Sequence, residues 1–157
     1  TLCAINSKQG AYIELFEKIK TLAAPNAMIL IEEEFPINRI SKHPSAAERL
    51  WIRQWQILKA LAYLTEQTPY QEIFPQYLVK LLRLIGFTEI QTTSGMNILH
   101  FSEVIPAFNS RIKSYLSEIH SKNLVKSIKA FQTDFERDLQ QQEILEIPIY
   151  QIQAKIL

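Results

Sequence analysis

A predicted helix ends at a glycine and passes directly into a predicted strand in the segment Leu78–Thr93. Apolar residues recur at helical spacing and form one stripe at Leu78, Leu81, Leu82 and Ile85. Gly86 follows, where a helix commonly closes in the left-handed conformation that glycine adopts without a steric penalty. Phe87, Ile90 and the β-branched threonines after them suit a half-buried strand. A helix joined to a strand in this way predicts an α/β fold.

A strand–helix–strand pattern precedes this segment. Leu2–Ile5 is a short apolar run, Ala11–Ala24 carries one apolar face at helical spacing, and Ala27–Glu34 has the length of a strand. The apolar part of Ala27–Glu34 does not alternate with polar residues, which is typical of a strand covered by helices on both faces. We expect a right-handed crossover between parallel strands.

The remaining elements alternate between helix and strand. A long helix is predicted from Ala46 to Thr65, opened by a capping box of Ser45 and Glu48, and the next helix starts at Pro75. The later predicted elements are a strand at 88–93, a turn, an extended run at 97–101, helices at 104–119 and 124–139, and a last strand at 147–156.

Composition excludes several classes of function. The 157 residues fit one domain, and the net charge of +1 gives no reason to expect nucleic acid or an anionic membrane as a partner. No apolar run approaches the roughly 20 residues that span a bilayer. Cys3 is the single cysteine, and His100 and His120 have no partner at ligand spacing, so we expect no metal site. A reducing cytoplasm is the expected compartment.

The glycine content excludes a phosphate-binding loop within this sequence. The three glycines, Gly10, Gly86 and Gly95, are far apart, whereas such a loop needs clustered glycines. The sequence also begins at Thr1, without methionine and at the start of a predicted strand. We therefore expect it to be part of a longer protein, with a processed natural start as the alternative.

The order of these elements resembles the C-terminal half of a class I S-adenosylmethionine-dependent methyltransferase of the small-molecule type. Ala27–Glu34 resembles the fifth strand of that family, and Leu84–Ile90 resembles the entry to its sixth strand. Ile147–Lys155 resembles the seventh strand, which runs antiparallel between the fifth and sixth. The resemblance implies a Rossmann-like sheet over 1–157, as the C-terminal part of one domain. Residues 35–75 would be a helical cover over the acceptor pocket, and residues 101–142 a helical insertion before the last strand.

The resemblance also implies site residues. Asn6 and Ser7 follow the expected fourth strand, where the family binds the methionine part of S-adenosyl-L-methionine; the alternative is a solvated turn. Glu34 ends the next strand and could orient an acceptor, although such a run of carboxylates is commonly just solvated. His43 lies in the following loop and has a side chain suited to a general base, with simple exposure as the alternative.

Three aromatic residues are predicted to line the acceptor pocket: Trp51, Trp55 and Tyr63. Trp51 and Trp55 share one helix face while Arg49 and Arg53 share another, so base stacking is disfavoured. Core packing is the alternative for all three aromatic residues. Their apolar character favours a lipid-like, aromatic or polyketide-like acceptor, free or tethered to a carrier.

Two functions from different classes follow. The first is methyl transfer from S-adenosyl-L-methionine to a small apolar or aromatic acceptor. The family's glycine loop and its acidic ribose-binding residue have no counterpart in this sequence, so the remaining half of the domain or a partner chain would supply them. The second is a non-catalytic methyltransferase-like scaffold or interaction domain, which the missing loop favours if Thr1 is the true start.

Overall fold

The computed structural model describes residues 11–37, 43–67, 69 and 72–156. These residues form five helices and three strands, so the predicted α/β class is confirmed. In chain order they are α1 (Ala11–Leu22), β1 (Met28–Glu34), α2 (Ala46–Leu64), α3 (Pro75–Ile85), β2 (Phe87–His100), α4 (Phe101–Leu116), α5 (Lys122–Gln142) and β3 (Ile144–Ile156). The strand predicted at Leu2–Ile5 lies outside the described residues. None of the helices in the described ranges is both long and apolar enough to cross a membrane.

The chain divides into two compact units. One, the sheet unit, consists of Thr1–Arg39, Tyr70–Met96 and Pro148–Leu157. The other, the helical unit, consists of Ile40–Pro69 and Asn97–Ile147.

In the sheet, the last strand of the chain lies between the two earlier strands. The order is β1-β3-β2, and β1 pairs antiparallel with β3 from Met28 opposite Lys155 to Glu34 opposite Ile149. β2 is also antiparallel to β3, because Glu89 contacts Lys155 at 2.9 Å whereas Gly95, farther along β2, lies against Ile149. The prediction of an antiparallel last strand between two others is confirmed.

Helices α1 and α3 pack on one face of this sheet. The β-branched and aromatic side chains of the strands suit this half-buried surface. The ring of Phe16 on α1 meets the ring of Phe87 on β2 edge-on, with 6.1 Å between the ring centres. The buried core of the sheet unit comprises Tyr12, Phe16, Leu78, Leu82, Phe87, Tyr150, Ile152, Ala154 and Ile156.

The other face of β1 is not covered by the described residues. Ile29 and Ile31 are half-buried toward the core, but Met28 is 48% exposed and Leu30 is 68% exposed. The prediction of a strand covered on both faces is therefore wrong for the described chain. Its cause is that α1 and α3 contribute to the same core cluster and so occupy the same face.

The junction between α3 and β2 has the predicted geometry, but the strand that follows it is longer than predicted. Gly86 adopts φ 96° and caps α3 in the left-handed region, as predicted. The turn predicted after residue 93 is absent, and β2 continues to His100. Because β3 begins at Ile144, pairing extends along both strands, and the amide of Phe101 still donates to the carbonyl of Glu143 at 2.9 Å.

The helical unit is built from α2, α4 and α5, which pack pairwise. The hydroxyl oxygen of Ser45 accepts from the amide of Glu48 at 2.9 Å, so the predicted start of α2 is confirmed. α4 begins and ends three residues earlier than predicted, and α5 extends beyond both predicted ends. The buried side chains of this unit include Leu50, Trp51, Leu58, Leu61, Phe108, Ile112, Phe135 and Leu139.

Candidate functional site

The carboxyl end of β1 carries three consecutive carboxylates, Glu32, Glu33 and Glu34. Because side chains alternate along a strand, Glu33 faces the helix-covered side and its two neighbours face the open side. Glu33 is 7% exposed and lies opposite Tyr150 of β3. Glu32 is exposed and accepts a hydrogen bond of 2.7 Å from the amide of Gln151.

Glu34, the predicted catalytic carboxylate, is half-buried and lies opposite Ile149. The most buried carboxylate of this strand end is thus Glu33, whereas the sequence predicted a role for Glu34. Burial alternates along β1, but the sequence alone does not show which of the two alternating sets of side chains faces the helices. A carboxylate at either position can accept a proton or orient a hydroxyl or amine.

The end of β1 is fixed by backbone and ring contacts within the sheet unit. The amide of Phe35 donates to the carbonyl of Pro148 at 2.8 Å, and its ring meets that of Tyr150 edge-on at 5.3 Å. These contacts hold the residue directly after Glu34 against the middle strand. The carboxylates therefore lie at a strand end whose position is fixed by these two contacts.

The predicted base His43 belongs to the helical unit and is exposed. It lies in a bend two residues before Ser45, the N-cap of α2. Asn6 and Ser7, the predicted cofactor contacts, lie outside the described residues.

The three predicted pocket residues have different surroundings along α2. Trp51 is 1% exposed and belongs to the core of the helical unit. Trp55 is half-buried, and the guanidinium carbon of Arg111 lies 5.7 Å from its ring centre. Tyr63 lies on the surface and is 71% exposed. Trp55 thus combines a packed ring with a partly accessible surface, as a ligand-contacting aromatic residue requires.

A polar cavity of about 310 Å³ lies between α2 and α5, and none of its lining residues was predicted from the sequence as a site residue. Arg53 donates from Nη1 to Oδ2 of Asp138 at 2.6 Å, and this hydrogen bond holds the pKa of the Asp138 carboxyl below its ordinary value. The two residues are 85 positions apart in the chain, so no local spacing could indicate their contact. The cavity is lined by Ala46, Arg49, Leu50, Arg53, Asp138, Gln141 and Gln142.

An apolar groove of about 310 Å³ lies in the sheet unit beside the start of α3. The rings of Phe74 and Tyr77 meet edge-on at 5.9 Å along it. In the described part of the chain, no three His, Cys, Asp or Glu side chains are grouped as metal ligands.

No protein-family model matches this chain, and no curated protein is significantly similar to it.

Proposed function

We propose that the chain is the C-terminal part of an S-adenosylmethionine-dependent methyltransferase that acts on a small apolar or aromatic acceptor in the cytoplasm. The donor-binding loop lies outside this sequence under the proposal, because the three glycines of the chain are isolated from one another. The described residues therefore do not form a complete donor site. The remaining half of the domain or a partner chain completes it.

The strand order is the observation that carries the proposal. The family that the sequence resembles places its last strand antiparallel between its fifth and sixth strands. The sheet unit has the order β1-β3-β2, with β3 antiparallel to both neighbours. A chain whose strands simply followed one another as hairpins would give a different order, so this arrangement supports a Rossmann-like methyltransferase sheet.

The position of the carboxylates also supports the proposal. Ligands of open α/β sheets bind beyond the carboxyl ends of the parallel strands. β1 and β2 are parallel to each other, since each is antiparallel to β3, and the carboxyl end of β1 carries Glu33 and Glu34. Under the proposal, Glu34 orients the acceptor, His43 serves as a base, and Asn6 and Ser7 contact the donor.

The helical unit supplies the acceptor pocket in this proposal. Its helices come from the two segments that the resemblance identifies as a cover and an insertion. Methyl transfer from a sulfonium requires mainly alignment of the two reactants and exclusion of water. The ring of Trp55, half-buried and packed under Arg111, suits contact with an apolar or aromatic acceptor.

A calorimetric titration of S-adenosylhomocysteine tests the proposal in the native polypeptide that carries this sequence. We expect saturable binding with a dissociation constant on the order of micromolar. Adenosine alone is the control and should bind more weakly, because it lacks the amino-acid part. A folded native polypeptide that does not bind S-adenosylhomocysteine would overturn the proposal and leave a scaffold or interaction domain.

A further inference from the structure

Two arginines one helical turn apart line the cavity between α2 and α5. Arg49 and Arg53 are four residues apart on α2, so their side chains lie on the same face. Gln141 and Gln142 line the cavity from the last turn of α5 and bring side-chain amides. Each of these four residues carries N–H donors. The cavity is therefore rich in groups that bind an oxygen anion.

Arg53 is held in one orientation. Its Nη1 donates to Asp138 at 2.6 Å, and its guanidinium carbon lies 4.8 Å from the ring centre of Phe131. An aromatic face and a carboxylate edge together fix the plane of a guanidinium. A guanidinium has five N–H groups, so the contact with Asp138 uses only part of its capacity. Such a fixed guanidinium is preorganised for a ligand.

Arg49 contributes charge that the surrounding ion pairs do not balance. Asp138 contacts both Arg53 and Arg137, and Arg137 also contacts Asp134 at 2.9 Å. These two arginines and two aspartates balance one another. Arg49 instead donates from Nη1 to the backbone carbonyl of Pro44 at 2.7 Å, a neutral acceptor. The lining of the cavity thus has one positive charge in excess.

We infer that this cavity binds the carboxylate of a small organic ligand, with Arg49 and Arg53 as its anchors. The single excess positive charge matches a monoanion. A dianionic phosphate would leave one negative charge unbalanced, and that charge would repel the carboxylate of Asp138. A planar carboxylate also fits the fork of a guanidinium in a bidentate manner. The volume of about 310 Å³ is at the lower end of the range of about 300–1,000 Å³ for small-molecule sites. The site lies within the helical unit and does not depend on methyl transfer.

The experiment is a titration of benzoate into the ¹⁵N-labelled chain, followed by the arginine Nε–Hε and glutamine side-chain amide signals. We expect saturable shifts at Arg49, Arg53, Gln141 and Gln142 with a dissociation constant on the order of 1 mM or tighter. Arg49→Gln should weaken binding by about tenfold or more, because a charged hydrogen-bond donor is lost. Arg49 is exposed, so this variant should keep the spectrum of a folded chain.

Three controls make the result decisive. Arg83→Gln, an exposed arginine of α3 in the sheet unit, should leave benzoate binding unchanged. Benzamide, which has the same shape without the charge, should cause no saturable shift. Inorganic phosphate should bind more weakly than benzoate. Equal binding of benzoate by Arg49→Gln, or no saturable shift at all, would overturn the inference and leave these arginines with a purely structural role. Tighter binding of phosphate than of benzoate would overturn it as well, because the site would then select a phosphate group and not a carboxylate.

Discussion

The hydroxyl of Tyr150 donates a hydrogen bond of 2.9 Å to the backbone carbonyl of Ile73. Tyr150 is fully buried in the middle strand of the sheet, and Ile73 lies two residues before α3 begins. The contact therefore ties the strand to the segment that starts a helix of the same unit. The hydroxyl gives the carbonyl of the half-buried Ile73 a donor, and the loss of such a partner costs free energy.

Replacement Tyr150→Phe removes this donor and keeps the ring. We expect the free energy of unfolding to fall by about 1–2 kcal/mol, because the Ile73 carbonyl loses its partner while packing is preserved. Urea denaturation measures this change through its midpoint. Tyr77→Phe is the control, since Tyr77 is 60% exposed and its loss of a hydroxyl should change stability by less than about 0.5 kcal/mol. Equal effects of the two variants would contradict the role of the hydrogen bond.

Replacement Gly86→Ala places a Cβ at a positive φ. Gly86 has φ 96°, and an alanine there should lower the free energy of unfolding by about 1–2 kcal/mol. The added Cβ would also lie 2.9 Å from the Nζ of Lys20, which donates to the carbonyl of Ile85 at 2.7 Å. The flexible end of Lys20 can move, but at the expense of that hydrogen bond.

Gly95→Ala is the matched control for this prediction. A Cβ at Gly95 would meet Ile149 at 3.5 Å, an ordinary van der Waals contact, and the position lies inside β2. We expect thermal unfolding of Gly95→Ala to match that of the unchanged chain or to occur at a slightly higher temperature. A similar loss of stability in both variants would show that the left-handed cap is not the cause.

Local signals in the sequence predicted the features that depend on neighbouring residues. The cap at Gly86 and the start of α2 at Ser45 follow from the conformational preferences of single residues and their close neighbours. The length of β2 did not follow, because its continuation to His100 depends on pairing with β3, which begins 44 residues after His100. Local propensity contains no information on that partner.

The candidate site was predictable only in part for the same reason. The run of carboxylates at the end of β1 was recognised from the sequence, but their burial was not, because it depends on which face of the sheet the helices cover. The contact of Arg53 with Asp138 joins two helices that are distant in the chain. Such a contact depends on tertiary packing, which the periodicity of each helix does not reveal.

Stability should depend on the ionisation of Asp138. Hydrogen bonding to Arg53 holds the pKa of Asp138 in the folded chain below its ordinary value of about 3.9. The unfolded chain therefore binds the proton more readily, and the stabilisation is present above the unfolded pKa and is lost as pH falls through the folded pKa. We expect the melting temperature of the unchanged chain to fall more steeply below about pH 4 than that of Asp138→Asn. Glu17→Gln, an exposed carboxylate of α1, is the control; a slope reduced equally in both variants would contradict this assignment.

Replacement Trp55→Ala tests the pocket that the proposed methyl transfer requires. Trp55 belongs to the helical unit and is half-buried beneath Arg111, so removal of its ring should remove the contact with the acceptor. In the native polypeptide we expect kcat/KM for aromatic acceptors to fall about tenfold or more, while the dissociation constant for S-adenosylhomocysteine changes by less than about twofold. Formation of S-adenosylhomocysteine with a panel of aromatic and aliphatic acceptors measures the first quantity, and calorimetry measures the second. Gln56→Ala is the control, since its side chain is exposed on the same helix and should leave both quantities unchanged. Equal loss of acceptor turnover and donor binding in Trp55→Ala would assign the residue to structural packing, because a pocket residue acts on the acceptor alone.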